Sequence, residues 1–302
     1  MSNSKPMRGI YTIPATPFDE QYAIDEAGLR QIIDFCIGCG AHGLVYPVNA
    51  SGFSTLSDAE RIHASRIVVE QCAGRIPVVI GVQGVCKEHA VTFAREAKAM
   101  QADAVIAMTP YINKVSNEEL ITDYFQGISQ AAQLPVFIQN HSVGSELSVS
   151  LMARLLAQVE HVKYIKEETY PVTHKLSQIL EAAGDNVHGV FGGAGGRYLL
   201  LEHPRGVAGQ MPGCQVTDVV VALWDALEAG DRAKAKQIHG SMSALFAFEE
   251  QAKGLAYKEI LRRRGVIASG RTRNMVDSLD AQDHQALDEI LRDLEPLFTW
   301  HA

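Results

Sequence analysis

Short, continuous apolar runs alternate with longer amphipathic ones from Gly9 to Gly209. The runs Gly9–Ile13, Gly43–Tyr46, Ile76–Val82, Ala104–Met108, Pro135–Gln139, Val162–Lys166, Val187–Phe191 and Gly206–Gly209 read as strands; Ile76–Val82 (IPVVIGV) is continuous and largely β-branched, the pattern of a strand buried on both faces. Between them, helical spacing runs over Asp25–Cys39, from a Ser57-Asp58 cap to Cys72, and over Lys87–Met100, Asn117–Ala132, Ser148–Gln158 and Val172–Ala183. Strands separated by helices pair in parallel through right-handed crossovers. The pattern therefore predicts an α/β fold, a (β/α)8 TIM barrel over residues 1–230, with residues 231–302 as a C-terminal helical extension packed on the barrel. A doubly wound sheet is the runner-up, but no GxGxxG follows the first strand.

Charge narrows the function. A formal net charge of −8 and a densest basic run of only Arg262-Arg263-Arg264 argue against a nucleic-acid partner. That triplet reads as a solvated helix face or an inter-subunit contact. Met1–Arg8 lacks the apolar core of a signal peptide, and no apolar run approaches the ~18 residues of a membrane span. The expectation is a cytoplasmic protein with no membrane partner. Cys36-x-x-Cys39 invites a metal or redox reading, yet no second pair at similar spacing completes a four-ligand site. Both cysteines fall in the apolar pattern of Leu29, Ile32 and Ile33, where cysteine serves as a small buried hydrophobe. No metal is expected.

In a barrel of this kind, chemistry belongs at the C-terminal ends of the strands. Period-2 alternation puts Val162, Tyr164 and Lys166 on one face, with Lys166 at the strand's end. An inward lysine there is costly unless it is paired or used. Desolvation favours the free amine, a nucleophile for a carbonyl. The plainer reading is a structural salt bridge to Glu167 or Glu168, and spacing alone does not choose between the two.

The stretch Tyr164-Ile165-Lys166-Glu167-Glu168-Thr169 resembles the strand-six motif of the dihydrodipicolinate synthase / N-acetylneuraminate lyase family, whose lysine forms a Schiff base. Asn49-Ala50-Ser51-Gly52 stands where that family has a Gly-Thr/Ser-Thr-Gly loop, Thr109-Pro110-Tyr111 matches its Pro-Tyr, and Leu134-Pro135 opens strand five as it does there. The resemblance spans nearly the whole chain. Departures are informative too: Gln139-Asn140-His141-Ser142 replaces Tyr-Asn-x-Pro, so the proton-relaying tyrosine becomes Gln139. No arginine lies near Gly144 for a semialdehyde carboxylate, which argues against lysine-biosynthetic condensation, and Phe53 follows the loop glycine in place of the usual Glu. Asn49-x-Ser51, Gln139, Gly265–Ser269 and Arg271 are similar to the family's 2-keto-3-deoxy-L-arabonate dehydratase branch.

The resemblance implies a lyase acting on a small 2-oxo acid, without a cofactor, because a lysine imine is itself the electron sink. It implies dehydration of a 2-keto-3-deoxy sugar acid, with a class I aldolase handling pyruvate as the alternative, and a homo-oligomer, usually a tetramer. Lys166 would carry the imine, and the Ala50 and Ser51 N–H groups beside Asn49 would hold the substrate carboxylate. Ser51 and Tyr111 would pass protons, while Gln139, which does not titrate, would orient a hydroxyl or water. Water, Ser51, Glu168 and His141 remain open as the base. Gly192, Gly209 and Met211 would line the pocket, the run Gly192–Arg197 reading as a tight turn rather than a phosphate cradle. A barrel that binds a sugar acid without turnover is the alternative of another class.

Overall fold

The computed structural model describes residues 6–273 and 278–300. Eight parallel strands close in sequence order: β1 (Gly9–Thr12), β2 (Gly43–Tyr46), β3 (Val78–Gly81), β4 (Ala104–Ala107), β5 (Val136–Asn140), β6 (Val162–Glu167), β7 (Gly189–Gly192) and β8 (Gly209–Gln210). Helices α1 (Glu26–Gly38), α2 (Asp58–Cys72), α3 (Lys87–Ala99), α4 (Glu118–Ala132), α5 (Val149–Gln158), α6 (Val172–Ala183), α7 (Leu199–Glu202) and α8 (Thr217–Glu228) follow the strands in turn. The tail adds α9 (Arg232–Ser241), α10 (Ser243–Ala252), α11 (Gly254–Arg263) and α12 (Ala281–Leu294). The fold is the expected (β/α)8 barrel.

Local chemistry sets the helix starts. Ser57 accepts from the Glu60 N–H while the Glu60 carboxylate accepts from the Ser57 N–H, a reciprocal cap on α2. Asp25, Asn117 and Ser148 cap α1, α4 and α5 with the side-chain acceptor alone. Each such cap stabilises its helix by about 1 kcal/mol.

Most strands shift by one or two residues at an end, and in two the backbone shows why. β7 begins at Gly189 rather than Val187, because Gly184–Asn186 form a 3-10 turn that Val187 closes. β8 is Gly209–Gln210 rather than Gly206–Gly209. Gly206 has φ +86° and terminates the 3-10 turn His203–Arg205 that continues α7, so it caps a helix where the pattern suggested a strand.

The chain forms two compact units: residues 1–9 with 77–211, and residues 10–76 with 212–302. In the first, Phe137 stacks on Tyr164 at 4.4 Å and both meet Phe191 edge-on, a ring layer on one face of β5, β6 and β7. In the second, Arg264 donates twice to Asp218, at 3.0 and 2.6 Å, with both side chains buried. The guanidinium lies over Phe298 at 3.8 Å and Phe35 at 4.8 Å, and the Thr299 N–H donates to the same carboxylate. The solvated-face reading of Arg262-Arg263-Arg264 is thus corrected at its last member. Arg262 and Arg263 pair with Glu259 instead, Arg263 also reaching Asp288.

Cys36 and Cys39 are free and buried on α1 and at its end, and burial pushes the Cys36 thiol well above its ordinary range. No helix among the described residues is long and apolar enough to cross a membrane.

Candidate active site

The site grows from the ends of β5, β6 and β7. Parallel register sets Lys166 between Gln139 on β5 and Phe191 on β7, on the face that carries the Phe137–Tyr164–Phe191 layer. Lys166 is 3% exposed. Its Nζ lies 3.1 Å from Glu168 Oε2, so the structure makes the salt bridge that spacing alone had left open, and makes it to Glu168. Gln139 Nε2 donates to the same Glu168 oxygen at 2.7 Å. Gln139 Oε1 is buried and has no hydrogen-bond donor among the described residues.

Electrostatics fix the carboxylate. Burial raises the Glu168 pKa, but Lys166, His141 and the Gln139 amide outweigh it and hold the group below the ordinary carboxylate range. Burial lowers His141, and its Nδ1 accepts from the Val143 N–H at 3.0 Å, so the imidazole is tied to its own turn. Glu168 is the carboxylate already in contact with the lysine.

Glu167 points to the opposite face and braces the site. Its carboxylate accepts from Asn140 Nδ2 at 2.8 Å and from the Thr169 N–H at 2.7 Å, while Asn140 also holds the Leu147 backbone. This ties the ends of β5 and β6 together on the side away from Lys166.

Glycines let the carboxylates approach the barrel wall. A Cβ on Gly193 would meet Glu168 Cδ at 2.8 Å and Cγ at 2.9 Å, with Oε1 closer still. A Cβ on Gly192 would meet both Glu202 oxygens, at 2.7 and 2.8 Å. The turn beyond them, through Ala194 (φ +54°), Gly195 (φ +67°) and Gly196 (φ +89°), is a tight left-handed one, in line with the expected turn. Glu202 on α7 is 2% exposed and accepts from Gln210 Nε2 on β8. Burial above all, with the neighbouring Glu168 charge adding to it and Gln210 opposing, lifts Glu202 to about 7. Met211 donates its N–H to the Gly192 carbonyl at 3.0 Å, and Gly209 pairs with Phe191. Tyr111 stands half-buried in the segment after β4.

Asn49, Ala50 and Ser51 belong to the second unit, in a 3-10 turn after β2. Thr16 Oγ1 donates to the Ser51 carbonyl at 2.8 Å and lies 2.9 Å from the Tyr46 hydroxyl. Ser51 Oγ accepts from the Val48 N–H, and the Ser51 N–H donates to the Val48 carbonyl at 3.0 Å. The Ser51 N–H expected to meet a carboxylate therefore already serves the turn. Sequence reasoning missed Glu202, Gln210 and the Glu167–Asn140 brace. A lone carboxylate at the end of the apolar run Leu199-Leu200-Leu201 was the available signal for the first.

The comparisons agree with the fold and give its family. Residues 6–294 match the model of the dihydrodipicolinate synthetase family, and the chain belongs to that family. It is 29% identical over 301 residues, 98% of this chain and 97% of the relative, to the L-2-keto-3-deoxyarabonate dehydratase of Azospirillum brasilense. It is 30% identical over 290 residues, 94% and 98% of the two chains, to the 4-hydroxy-tetrahydrodipicolinate synthase of Methanosphaerula palustris. The crystal structure of a putative dihydrodipicolinate synthetase from Pseudomonas aeruginosa superposes with TM-score 0.89 at 23% identity, covering 95% and 99% of the chains, which speaks to the fold. The chain is a lyase of this family.

Proposed function

We propose that this lyase dehydrates a 2-keto-3-deoxy sugar acid such as 2-keto-3-deoxy-L-arabonate, through a Schiff base on Lys166. One observation carries the reading: the buried Lys166 amine sits 3.1 Å from a carboxylate, Glu168, which Gln139 holds in place. A proton passes from the ammonium to Glu168, and the free amine attacks C2 of the oxo acid. The proton returns to the carbinolamine hydroxyl, water leaves, and a protonated imine remains.

The imine draws electrons from C3, and Glu168 takes a C3 proton to give the enamine. The enamine expels the C4 hydroxyl, which leaves as water with the proton from Glu168. Transfer of a proton from C5 to C3 then converts the C3=C4 double bond into a C4=C5 enol. The enol tautomerises to the aldehyde, and hydrolysis of the imine frees Lys166 and a 2,5-dioxo acid. Gln139 Oε1, an acceptor without a donor, suits a substrate hydroxyl. Tyr111, Ser51, Ala50, Asn49, Gly192, Gly209 and Met211 are retained as candidates for binding and proton transfer. The family resemblance supports a cytoplasmic homotetramer, which light scattering of the purified protein checks.

The test is intact mass after adding 2-keto-3-deoxy-L-arabonate and borohydride to wild type and to Lys166→Ala. A reduced adduct that has lost water but kept the carbon skeleton, and that vanishes in the variant, is the expected result. An adduct with the mass of pyruvate would move the reaction to aldol cleavage. No adduct with this acid or with added pyruvate would leave a binding barrel without turnover.

A further inference from the structure

The two neighbouring glycines open the barrel wall beside Glu168. Lys166 and Gln139 both occupy Glu168 Oε2, whereas Oε1 faces Gly193, where no side chain intervenes. Beyond the glycines lies a cavity of about 30 Å³, lined by Glu167, Glu168, Tyr170, Gly193, Tyr198 and Glu202. A cavity of that size admits one or two water molecules, and although Val172 and Ala194 add apolar wall, the carboxylates and tyrosine hydroxyls offer them partners. Its far end reaches the surface: the Tyr170 and Tyr198 hydroxyls are 2.7 Å apart and Tyr170 is 70% exposed. Gln139, which holds Glu168 Oε2, does not titrate and so takes no proton from it.

We propose that Glu202 and the Tyr198–Tyr170 pair form a proton exit through the barrel wall, exchanging the proton that Glu168 takes from the substrate with solvent. The inference rests on the Schiff-base reading of Lys166. A proton on Glu168 crosses the cavity to Glu202, as the proton already on Glu202 passes to the tyrosine hydroxyls and on to water. Each transfer breaks one O–H bond and forms another, and solvent restores what it receives. Glu202 acts through Glu168 and is a positioning residue for the proton, not a group on the substrate. The groups facing it are Glu167 at the end of β6 and Glu168 just past it, Tyr170 and Tyr198, and the neutral Gln210 amide. A carboxyl poised at about 7 gives and takes protons with little bias at neutral pH.

The test uses pyruvate in D2O. Its imine on Lys166 loses a methyl proton to Glu168, and the methyl group gains deuterium only when Glu168 has exchanged with solvent. Methyl exchange is followed by NMR, with borohydride trapping of the adduct in parallel, for wild type, Glu202→Gln and Tyr198→Phe. Glutamine keeps the size and neutrality of the protonated acid but carries no transferable proton. The expected result is exchange slowed tenfold or more in Glu202→Gln and several-fold in Tyr198→Phe, while the adduct still forms. Exchange at the wild-type rate in both trapped variants would overturn the exit and leave the Schiff base standing. Absence of an adduct in wild type would overturn the Schiff base and the exit together. Should Glu202→Gln fail to fold, Tyr198→Phe, altered at the outer end, decides alone.

Discussion

Gly193→Ala isolates the contact on which the proposed chemistry depends. Gly193 has φ −138°, outside the left-handed region, so the nearest obstacle to an alanine is the Glu168 side chain. The new methyl carbon would lie 2.8 Å from Glu168 Cδ, and ordinary contact begins at 3.4 Å, so the carboxyl carbon must withdraw by about 0.6 Å. The oxygen nearer the methyl must move on the order of 1 Å, which carries the carboxylate away from its 3.1 Å contact with Lys166 and its 2.7 Å bond from Gln139. A displacement of that size at a proton acceptor costs roughly 10²-fold in rate, about 2.7 kcal/mol of transition-state stabilisation. Steady-state turnover of 2-keto-3-deoxy-L-arabonate measures it, with denaturant unfolding run alongside. Overpacking should lower stability by about 1–3 kcal/mol, leaving the protein folded. Gly240→Ala is the control, because nothing lies within 4 Å of its added carbon. A Gly193→Ala enzyme with kcat/KM within twofold of wild type would refute the placement of Glu168 as the acting carboxylate.

Two further predictions concern stability. Glu202 has a folded pKa of about 7, above its unfolded value, so the native state holds a proton that the unfolded chain has lost. Stability should therefore fall as pH rises from about 4.5 through 7, and Glu202→Gln should exceed wild type by on the order of 2 kcal/mol at pH 8 while matching it near pH 4 in urea unfolding. Parallel curves across that range would remove the assignment. Asp218→Ala strands the buried Arg264 guanidinium and should cost about 3–5 kcal/mol, read as a lower thermal midpoint, whereas a loss below 1 kcal/mol would mean that the tail is held by packing alone.

The strands and the lysine were legible because both depend on near neighbours in the chain. Alternation along Val162–Lys166 is enough to orient Lys166, and the same alternation places Glu168 beside it, two positions on. What escaped depends on distant partners. Arg264 reads as a surface charge until Asp218, 46 positions earlier, is brought under it. Glu202 belongs to a four-residue helix too short for a periodic signal, and its role follows from Gln210 and from two glycines whose missing side chains matter only once the strands are assembled. β8 was shifted because Gly206, read as strand, proved to be the left-handed end of a turn.

The second compact unit is written in two pieces, 10–76 and 212–302, with 135 residues between them. Thr12 hydrogen-bonds Thr217 across 205 positions, and Glu60 holds Arg273 across 213. As the chain leaves the ribosome, residues 10–76 emerge early and must wait, with apolar surfaces such as that of Leu29, Ile32, Ile33 and Phe35 unburied, until the last third of the protein is made. The unit that holds Lys166 is nearly contiguous and is complete, apart from its final contacts, by residue 211. Synthesis thus delivers the lysine's framework first and leaves the earliest strands exposed longest, which makes residues 10–76 the stretch most in need of chaperone protection during translation.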